Sequence, residues 1–229
     1  MYSREQLIIL DADGTTIDAF AAIGKTFAHH GMDIGDLTRF QKRHRLFKYL
    51  GGLKEFPVNL QKQLGKQKRS QLIATLTEVY REEGQLYPGI AELIQMLLHL
   101  PDLRVGLITR NITIKPEETL GRLFLRHGVD VAELDFLIHV PLAQDKGSHF
   151  REARERFAIN PARTYACGDE HQDFLAAINA GMHPFMVSYG FENHERLTQK
   201  FGVPEEVISR TPDELCERVR HTLGLGQPG

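Results

Sequence analysis

The feature that most constrains the fold is a series of short apolar runs, each ending at a polar residue and each followed by a stretch with helical periodicity. These runs lie at residues 7–10, 104–108, 136–140, 164–168 and 184–187. Continuous apolar runs of this length are typical of parallel strands whose sheet is covered on both faces. The intervening stretches predict helices at 89–100, 117–127, 147–158 and 171–181, and a C-terminal helix is predicted at 212–223. The sequence therefore predicts an α/β fold with a doubly wound, Rossmann-like parallel sheet.

One segment, from residue 16 to residue 88, interrupts this alternation. Apolar residues recur there at intervals of three and four along 19–30, 37–50 and 71–83, which indicates helices rather than strands. At roughly 150 residues per domain, 229 residues suit one large domain or one domain with an insertion. We therefore expect a core domain formed by 1–15 and 89–229, with a helical cap domain, 16–88, inserted into it.

Composition excludes several classes of function. The formal net charge is −2, whereas a dedicated nucleic-acid-binding protein usually carries a strong basic excess. The cap segment has a balance of +5 over residues 15–87, but no aromatic and basic interleaving that would form a base-stacking surface. No apolar run approaches the roughly 18 residues that cross a bilayer, and the two cysteines form no disulfide framework. We expect a cytoplasmic protein with neither a membrane nor a nucleic-acid partner.

Polar residues that could carry chemistry follow the predicted strands. Asp11 and Asp13 follow the first, Thr109 the second, and Asp169 the fourth, with Asp173 four residues later. In an open α/β sheet the ligand crevice lies beyond the carboxyl ends of the strands. Carboxylates that converge there repel one another unless a cation joins them, and hard oxygen ligands favour Mg²⁺. Lys146, between the third and fourth strands, would add a positive charge for a bound phosphate.

The run Asp11-Ala12-Asp13-Gly14-Thr15 offers two carboxylates with different possible tasks. One can attack phosphorus, while the other gives a proton to the leaving oxygen and later takes one from water. Gly14 would let the chain turn and bring backbone N–H groups to the phosphate. Asp-x-Asp-Gly can also be a simple turn, so its meaning depends on the partner motifs.

Taken together, these motifs resemble those of the haloacid dehalogenase (HAD) superfamily. The first is 11–15, the second Leu107-Ile108-Thr109, the third Lys146, and the fourth runs from Gly168-Asp169 to Asp173. The resemblance covers nearly the whole chain, and the insertion after the first motif is similar to the C1-cap subclass, which includes phosphoglycolate phosphatases and β-phosphoglucomutases. It implies a phosphatase that hydrolyses a small phosphorylated metabolite through an aspartyl-phosphate.

The same resemblance implies a role for each motif residue. Asp11 would be the nucleophile and Asp13 the general acid/base. Phosphate would be held by Thr109, Lys146, Gly14 and Arg110. The metal, Mg²⁺, would be held by Asp11, Asp13 through its backbone carbonyl, Asp169 and Asp173.

Other interpretations remain open at this stage. A phosphomutase of the β-phosphoglucomutase type would share every motif, and a non-catalytic binding protein would keep the fold. Lys115, which precedes Pro116, competes with Lys146 by local sequence, although it lies close to Thr109 and far from Asp169. For the oligomeric state we expect a monomer or a homodimer.

Overall fold

The computed structural model describes residues 2–32 and 69–225. Its centre is a sheet of six parallel strands in the order β3-β2-β1-β4-β5-β6. The strands are β1 Gln6–Leu10, β2 Leu103–Thr109, β3 Phe136–His139, β4 Thr164–Gly168, β5 His183–Val187 and β6 Ile208–Ser209. The first five confirm the predicted strands to within a residue or so at each end. The sixth has only two residues and carries no apolar run that periodicity could detect.

Seven α-helices accompany the strands in the described part of the chain. They are α1 Ala19–His29, α2 Arg69–Glu83, α3 Ile90–Leu98, α4 Pro116–Arg126, α5 Lys146–Arg156, α6 His171–Asn179 and α7 Pro212–Thr222. The four helices predicted between the strands and the predicted C-terminal helix are present. Helices α1 and α2 correspond to the predicted apolar patterns at 19–30 and 71–83, whereas the pattern at 37–50 lies outside the described residues.

The two faces of β1 show why the sheet must be covered on both sides. Leu7 and Ile9 belong to one apolar cluster, which also contains Phe150 of α5 and Ala177 of α6. Ile8 and Leu10 belong to a second cluster on the opposite face, with side chains of α3 and α4. Successive side chains of a strand point to opposite faces, so a fully apolar strand needs an apolar layer on each. This arrangement confirms the doubly wound architecture.

Helices α1 and α2, from the predicted insertion, pack into the second of these clusters. Phe27 of α1 and Leu76 of α2 are fully buried there together with Leu97 of α3. The side chain of Thr77 in α2 also accepts a hydrogen bond from the backbone N–H of Ile114 at 2.9 Å. The described helices of the insertion are thus joined to the core by both apolar and polar contacts. The proposed division at residues 15 and 88 stays a prediction.

The strand order places β1 between β2 and β4, where the direction of winding changes. Ligands of doubly wound sheets bind at this switch point, outside the carboxyl ends of the strands. Within the residues that the structure describes, no helix is both long enough and apolar enough to span a bilayer.

Candidate active site

Asp11 lies directly beyond the carboxyl end of β1, at the switch point. Its backbone N–H donates to the carbonyl of Cys167 in β4 at 3.0 Å, which continues the pairing of the two strands by one residue. Its side chain accepts from the N–H of Ala12 at 2.8 Å and lies 2.8 Å from Nζ of Lys146. Each carboxylate oxygen therefore has a donor, and the side chain is fixed in a nearly closed environment.

Lys146 is the first residue of α5 and connects two carboxylates. Its Nζ lies 2.8 Å from Oδ2 of Asp11 and 2.8 Å from Oδ1 of Asp173, and its side chain is buried. Burial alone would lower the pKa of this amine, but the two carboxylates outweigh that effect and raise the pKa above its ordinary value. Lys115, the competitor by local sequence, instead pairs with Glu118 on the exposed surface of α4. Of the two lysines, the structure brings Lys146 to the site.

Three carboxylates form an acidic cluster. Asp11, Asp169 and Asp173 each offer an oxygen, and these oxygens lie within 4.8 Å of one another, all on buried residues. Asp173 also accepts from the N–H of Glu170 at 3.0 Å, at the start of α6. Asp169 accepts from the N–H of Phe191 and, more weakly at 3.5 Å, from the hydroxyl of Thr15.

The pKa values of the cluster show that its charge is incompletely compensated. Burial, followed by repulsion from neighbouring carboxylates, raises the pKa of Asp11 to about 7 despite the opposing effect of Lys146. Burial and repulsion from Asp11 and Asp173 raise the pKa of Asp169 well above its ordinary value. A group of buried oxygens with so little neutralising charge is suited to a divalent cation.

Asp13 faces the same cleft but has separate partners. The hydroxyl of Tyr80, on α2, donates to its Oδ1 at 2.6 Å, and the side-chain amide of Asn111 lies 3.1 and 3.0 Å from Oδ1 and Oδ2. Burial raises the pKa of Asp13, while the bonds from Tyr80 and Asn111 act in the opposite direction. The two carboxylates of the first motif thus occupy different environments.

Thr109 is the last residue of β2, and Arg110 follows it at the cleft. The hydroxyl oxygen of Thr109 accepts from the N–H of Asn111 at 3.2 Å, and the residue is fully buried. Arg110 lines the cleft together with Asp11, Asp13 and Lys146. Its Nε is buried and makes no hydrogen bond to any residue that the structure describes.

Gly14 lies at the site and makes the predicted turn, and its role toward a phosphate stays a prediction. Its N–H donates to the carbonyl of Ile17 at 3.0 Å, which closes the turn. The backbone has φ of +83°, and a β-carbon at Gly14 would lie 2.4 Å from Oδ2 of Asp169. The glycine therefore permits both the turn and the close approach of Asp169.

Sequence reasoning missed several residues of the site. Tyr80 has no motif around it, because it lies in the inserted segment almost 70 residues from Asp13. Asn111 lies two residues after Thr109, and this closeness to the second motif was the available signal. Gly190 lies against the carboxylate of Asp169, and the backbone N–H of Phe191 donates to that carboxylate. No local sequence pattern marks either residue.

A doubly wound parallel sheet with buried carboxylates and a buried lysine at its switch point is the arrangement of an α/β enzyme whose ligand binds at the carboxyl ends of the strands. The family model described as haloacid dehalogenase-like hydrolase matches residues 5–181, and a second one, described as HAD-hydrolase-like, matches 146–221. The chain belongs to the family of haloacid dehalogenase-like hydrolases.

Curated relatives and solved structures agree with this membership. The phosphoglycolate phosphatase of Vibrio vulnificus (strain CMCP6) is 24% identical over 96% of this chain and 95% of the relative. That of Synechococcus elongatus is 27% identical over 95% of this chain and 99% of the relative. A structure from Thermotoga maritima, provisionally assigned as a β-phosphoglucomutase, has a TM-score of 0.65 at 17% identity and covers 94% of this chain and 99% of that one. The relatives support a phosphatase enzyme, and the solved structure supports the fold.

Proposed function

We propose that this protein is a Mg²⁺-dependent phosphatase that hydrolyses the phosphate monoester of a small metabolite through an aspartyl-phosphate on Asp11. The observation that carries the proposal is the asymmetry of the first motif. Asp11 lies in the acidic cluster with Lys146, whereas Asp13 lies beside it with neutral donors. One carboxylate is thus placed as a nucleophile and the other as an acid and base.

The donor set fits a magnesium ion. Asp11 and Asp169 supply buried carboxylate oxygens, and Asp173 joins them directly or through water. The raised pKa values of Asp11 and Asp169 reflect a negative charge that a divalent cation would offset. When bound, the ion would neutralise charge on the phosphoryl oxygens and on Asp11. A contribution from the backbone carbonyl of Asp13 remains part of the proposal.

The reaction then proceeds in two balanced steps. A carboxylate oxygen of Asp11 attacks phosphorus, the bond from phosphorus to the ester oxygen breaks, and Asp13 gives its proton to the leaving alcohol. Water next attacks phosphorus and gives a proton to Asp13, and the bond from phosphorus to Asp11 breaks. Inorganic phosphate leaves, and both aspartates return to their starting states.

Three groups at the cleft would position the phosphoryl oxygens. Lys146 and Arg110 line the cleft together with Asp11, and we assign the hydroxyl of Thr109, the last residue of β2, to the same task. Arginine and lysine can both bind phosphate, and arginine can do so with two parallel hydrogen bonds. Phosphoglycolate is the substrate named for the curated relatives, and we propose a small phosphate ester of this kind here.

Phosphate release tests the proposal. The purified protein is incubated with p-nitrophenyl phosphate, phosphoglycolate and a panel of small phosphate esters, with Mg²⁺ or with a chelator, and Asp11→Asn serves as the matched control. We expect release that requires Mg²⁺ and disappears in the variant. Isomerised sugar phosphate without free phosphate would instead identify a phosphomutase, and no turnover of any ester would refute the phosphatase proposal. Cell fractionation and sedimentation velocity test the accompanying expectations of a cytoplasmic, monomeric or homodimeric protein.

A further inference from the structure

The hydrogen bonds around Asp13 distinguish its two carboxylate oxygens. Oδ1 accepts from the hydroxyl of Tyr80 at 2.6 Å and from the amide of Asn111 at 3.1 Å. Oδ2 accepts only from the same amide, at 3.0 Å, among the described residues. Because a carboxylate oxygen has two lone pairs, Oδ1 is filled and Oδ2 keeps one site open.

We propose that Tyr80 and Asn111 are positioning residues that lock the carboxyl group of Asp13 so that Oδ2 is presented to the ester oxygen. The inference rests on the proposed function, since it assigns the orientation of the acid/base in that reaction. It also means that the inserted segment, through Tyr80, supplies part of the catalytic apparatus.

Tyr80 is held rigidly enough for this role. It is fully buried on α2, and two neighbouring side chains of this helix contact the region after β2. Thr77 accepts from the N–H of Ile114 at 2.9 Å, and Nε of Arg81 donates to the hydroxyl of Thr119 at 3.2 Å. The phenol therefore approaches Asp13 from a helix that is fixed to the same part of the core as the second motif.

The orientation of the Asn111 amide is fixed as well. Its side-chain oxygen accepts from both the backbone N–H, at 3.0 Å, and the hydroxyl of Thr113. Rotating the amide by half a turn would direct that oxygen at the carboxylate of Asp13 and its NH₂ group at two donors. Thr113 thus determines that Asn111 offers its NH₂ group to Asp13.

A leaving-group comparison tests the catalytic consequence. The alcohol released from an alkyl phosphate needs a proton, whereas p-nitrophenolate leaves readily without one. The kinetic parameter to compare is kcat/KM, because it reports the step in which the ester bond breaks. In Tyr80→Phe we expect kcat/KM for an alkyl phosphate to fall about tenfold or more. This decrease is smaller than the full contribution of a general acid to the rate, because Asp13 itself is still present. The value for p-nitrophenyl phosphate should stay within about twofold. Asn111→Ala should show the same selectivity, and Thr113→Val a weaker form of it.

A merely structural role for Tyr80 predicts a different result. Loss of folding or of general site geometry would lower kcat/KM equally for the alkyl phosphate and for p-nitrophenyl phosphate. This result would overturn the inference, and so would values of kcat/KM that stay unchanged for both esters. Tyr165→Phe is the matched control, because it removes a tyrosine hydroxyl from β4 and should leave both values unchanged.

A double-mutant cycle tests the contact itself without any turnover. Unfolding by urea is compared for the wild type, Tyr80→Phe, Asp13→Ala and the double variant. We expect clear non-additivity, because each single change removes the same hydrogen bond. Additive effects would overturn the inference. If the wild type hydrolyses no ester, the proposed phosphatase function fails, and the cycle still decides whether Tyr80 holds Asp13.

Discussion

Gly14 and Asp169 lie so close together that no side chain fits between them. A β-carbon at Gly14 would lie 2.4 Å from Oδ2 of Asp169, well inside van der Waals contact, and Gly190 approaches the same oxygen equally closely from another loop. The carboxylate of Asp169 is thus enclosed by two glycines as well as held by the N–H of Phe191. Its position depends on the absence of side chains as much as on hydrogen bonds.

Gly14→Ala should therefore displace Asp169 and weaken binding of Mg²⁺. The matched control is Gly202→Ala, since Gly202 also has a positive φ, +67°, but no atom lies within 4 Å of its added β-carbon. Both variants carry backbone strain of about 1 kcal/mol or more, and only the first carries the clash. Calorimetric titration with Mg²⁺ should show weaker binding in Gly14→Ala alone. Equal affinity in the two variants would contradict the enclosing role of Gly14.

Replacing Lys146 by methionine should destabilise the metal-free protein strongly. The change leaves Asp11 and Asp173 buried without their shared cation, and breaking a buried pair in this way typically costs about 3–5 kcal/mol. Urea unfolding in the presence of a chelator measures the loss, and phosphate release should be lost too. Lys115→Met is the control, because that side chain is 72% exposed and its removal should change stability by less than about 0.5 kcal/mol. A large effect in the control and none at position 146 would reverse the assignment of the site lysine.

Arg110→Gln should impair phosphate binding with little effect on folding. The Nε atom of Arg110 is buried without a hydrogen bond in the described part of the chain, so the fold has little to lose when the guanidinium is removed. A lost charged hydrogen bond to phosphate should raise the inhibition constant of inorganic phosphate about tenfold. Arg122→Gln, on the exposed surface of α4, provides the comparison. An unchanged inhibition constant in Arg110→Gln would exclude Arg110 from phosphate binding.

Arg104 should stabilise the protein in a pH-dependent manner. Its guanidinium contacts Glu5 at 2.6 Å and Asp135 at 2.9 Å, and the bond from Arg104 lowers the pKa of Glu5. A carboxyl group whose pKa is lower in the folded than in the unfolded state stabilises the fold above its unfolded pKa, about 4.3 for Glu, and loses this effect as the pH falls through the folded pKa.

The corresponding variant is Arg104→Met. Because the Arg104 side chain is 39% exposed, solvent screens these pairs, and we expect a loss of only about 1 kcal/mol at pH 7. The difference from the wild type should persist down to about pH 5 and shrink below about pH 4. Urea unfolding over that range measures it, and a difference that grows toward low pH would contradict the assigned sign.

Much of the site could be predicted because its residues follow strands. The apolar runs ending at Asp11, Thr109 and Asp169 predict both the sheet and the edge at which these residues meet, since parallel strands end together. The structure brings Asp11, Asp169 and Asp173 into one buried cluster with Lys146, and Thr109 ends the neighbouring strand β2. The catalytic and metal-binding roles of these residues stay predictions until the measurements above are made.

The fold class could be predicted from the amino-acid sequence alone, because strand and helix periods are local properties that each segment carries. The sequence also predicted which carboxylates lie at the switch point. Only the tertiary structure decided that Tyr80 and Asn111 hold Asp13, that Lys146 rather than Lys115 reaches Asp11, and that Gly14 encloses Asp169. These contacts join segments far apart in the chain, and they depend on how α2, α5 and the loop after β5 pack against the sheet. No local pattern encodes such distances, because they follow from close packing of the whole core.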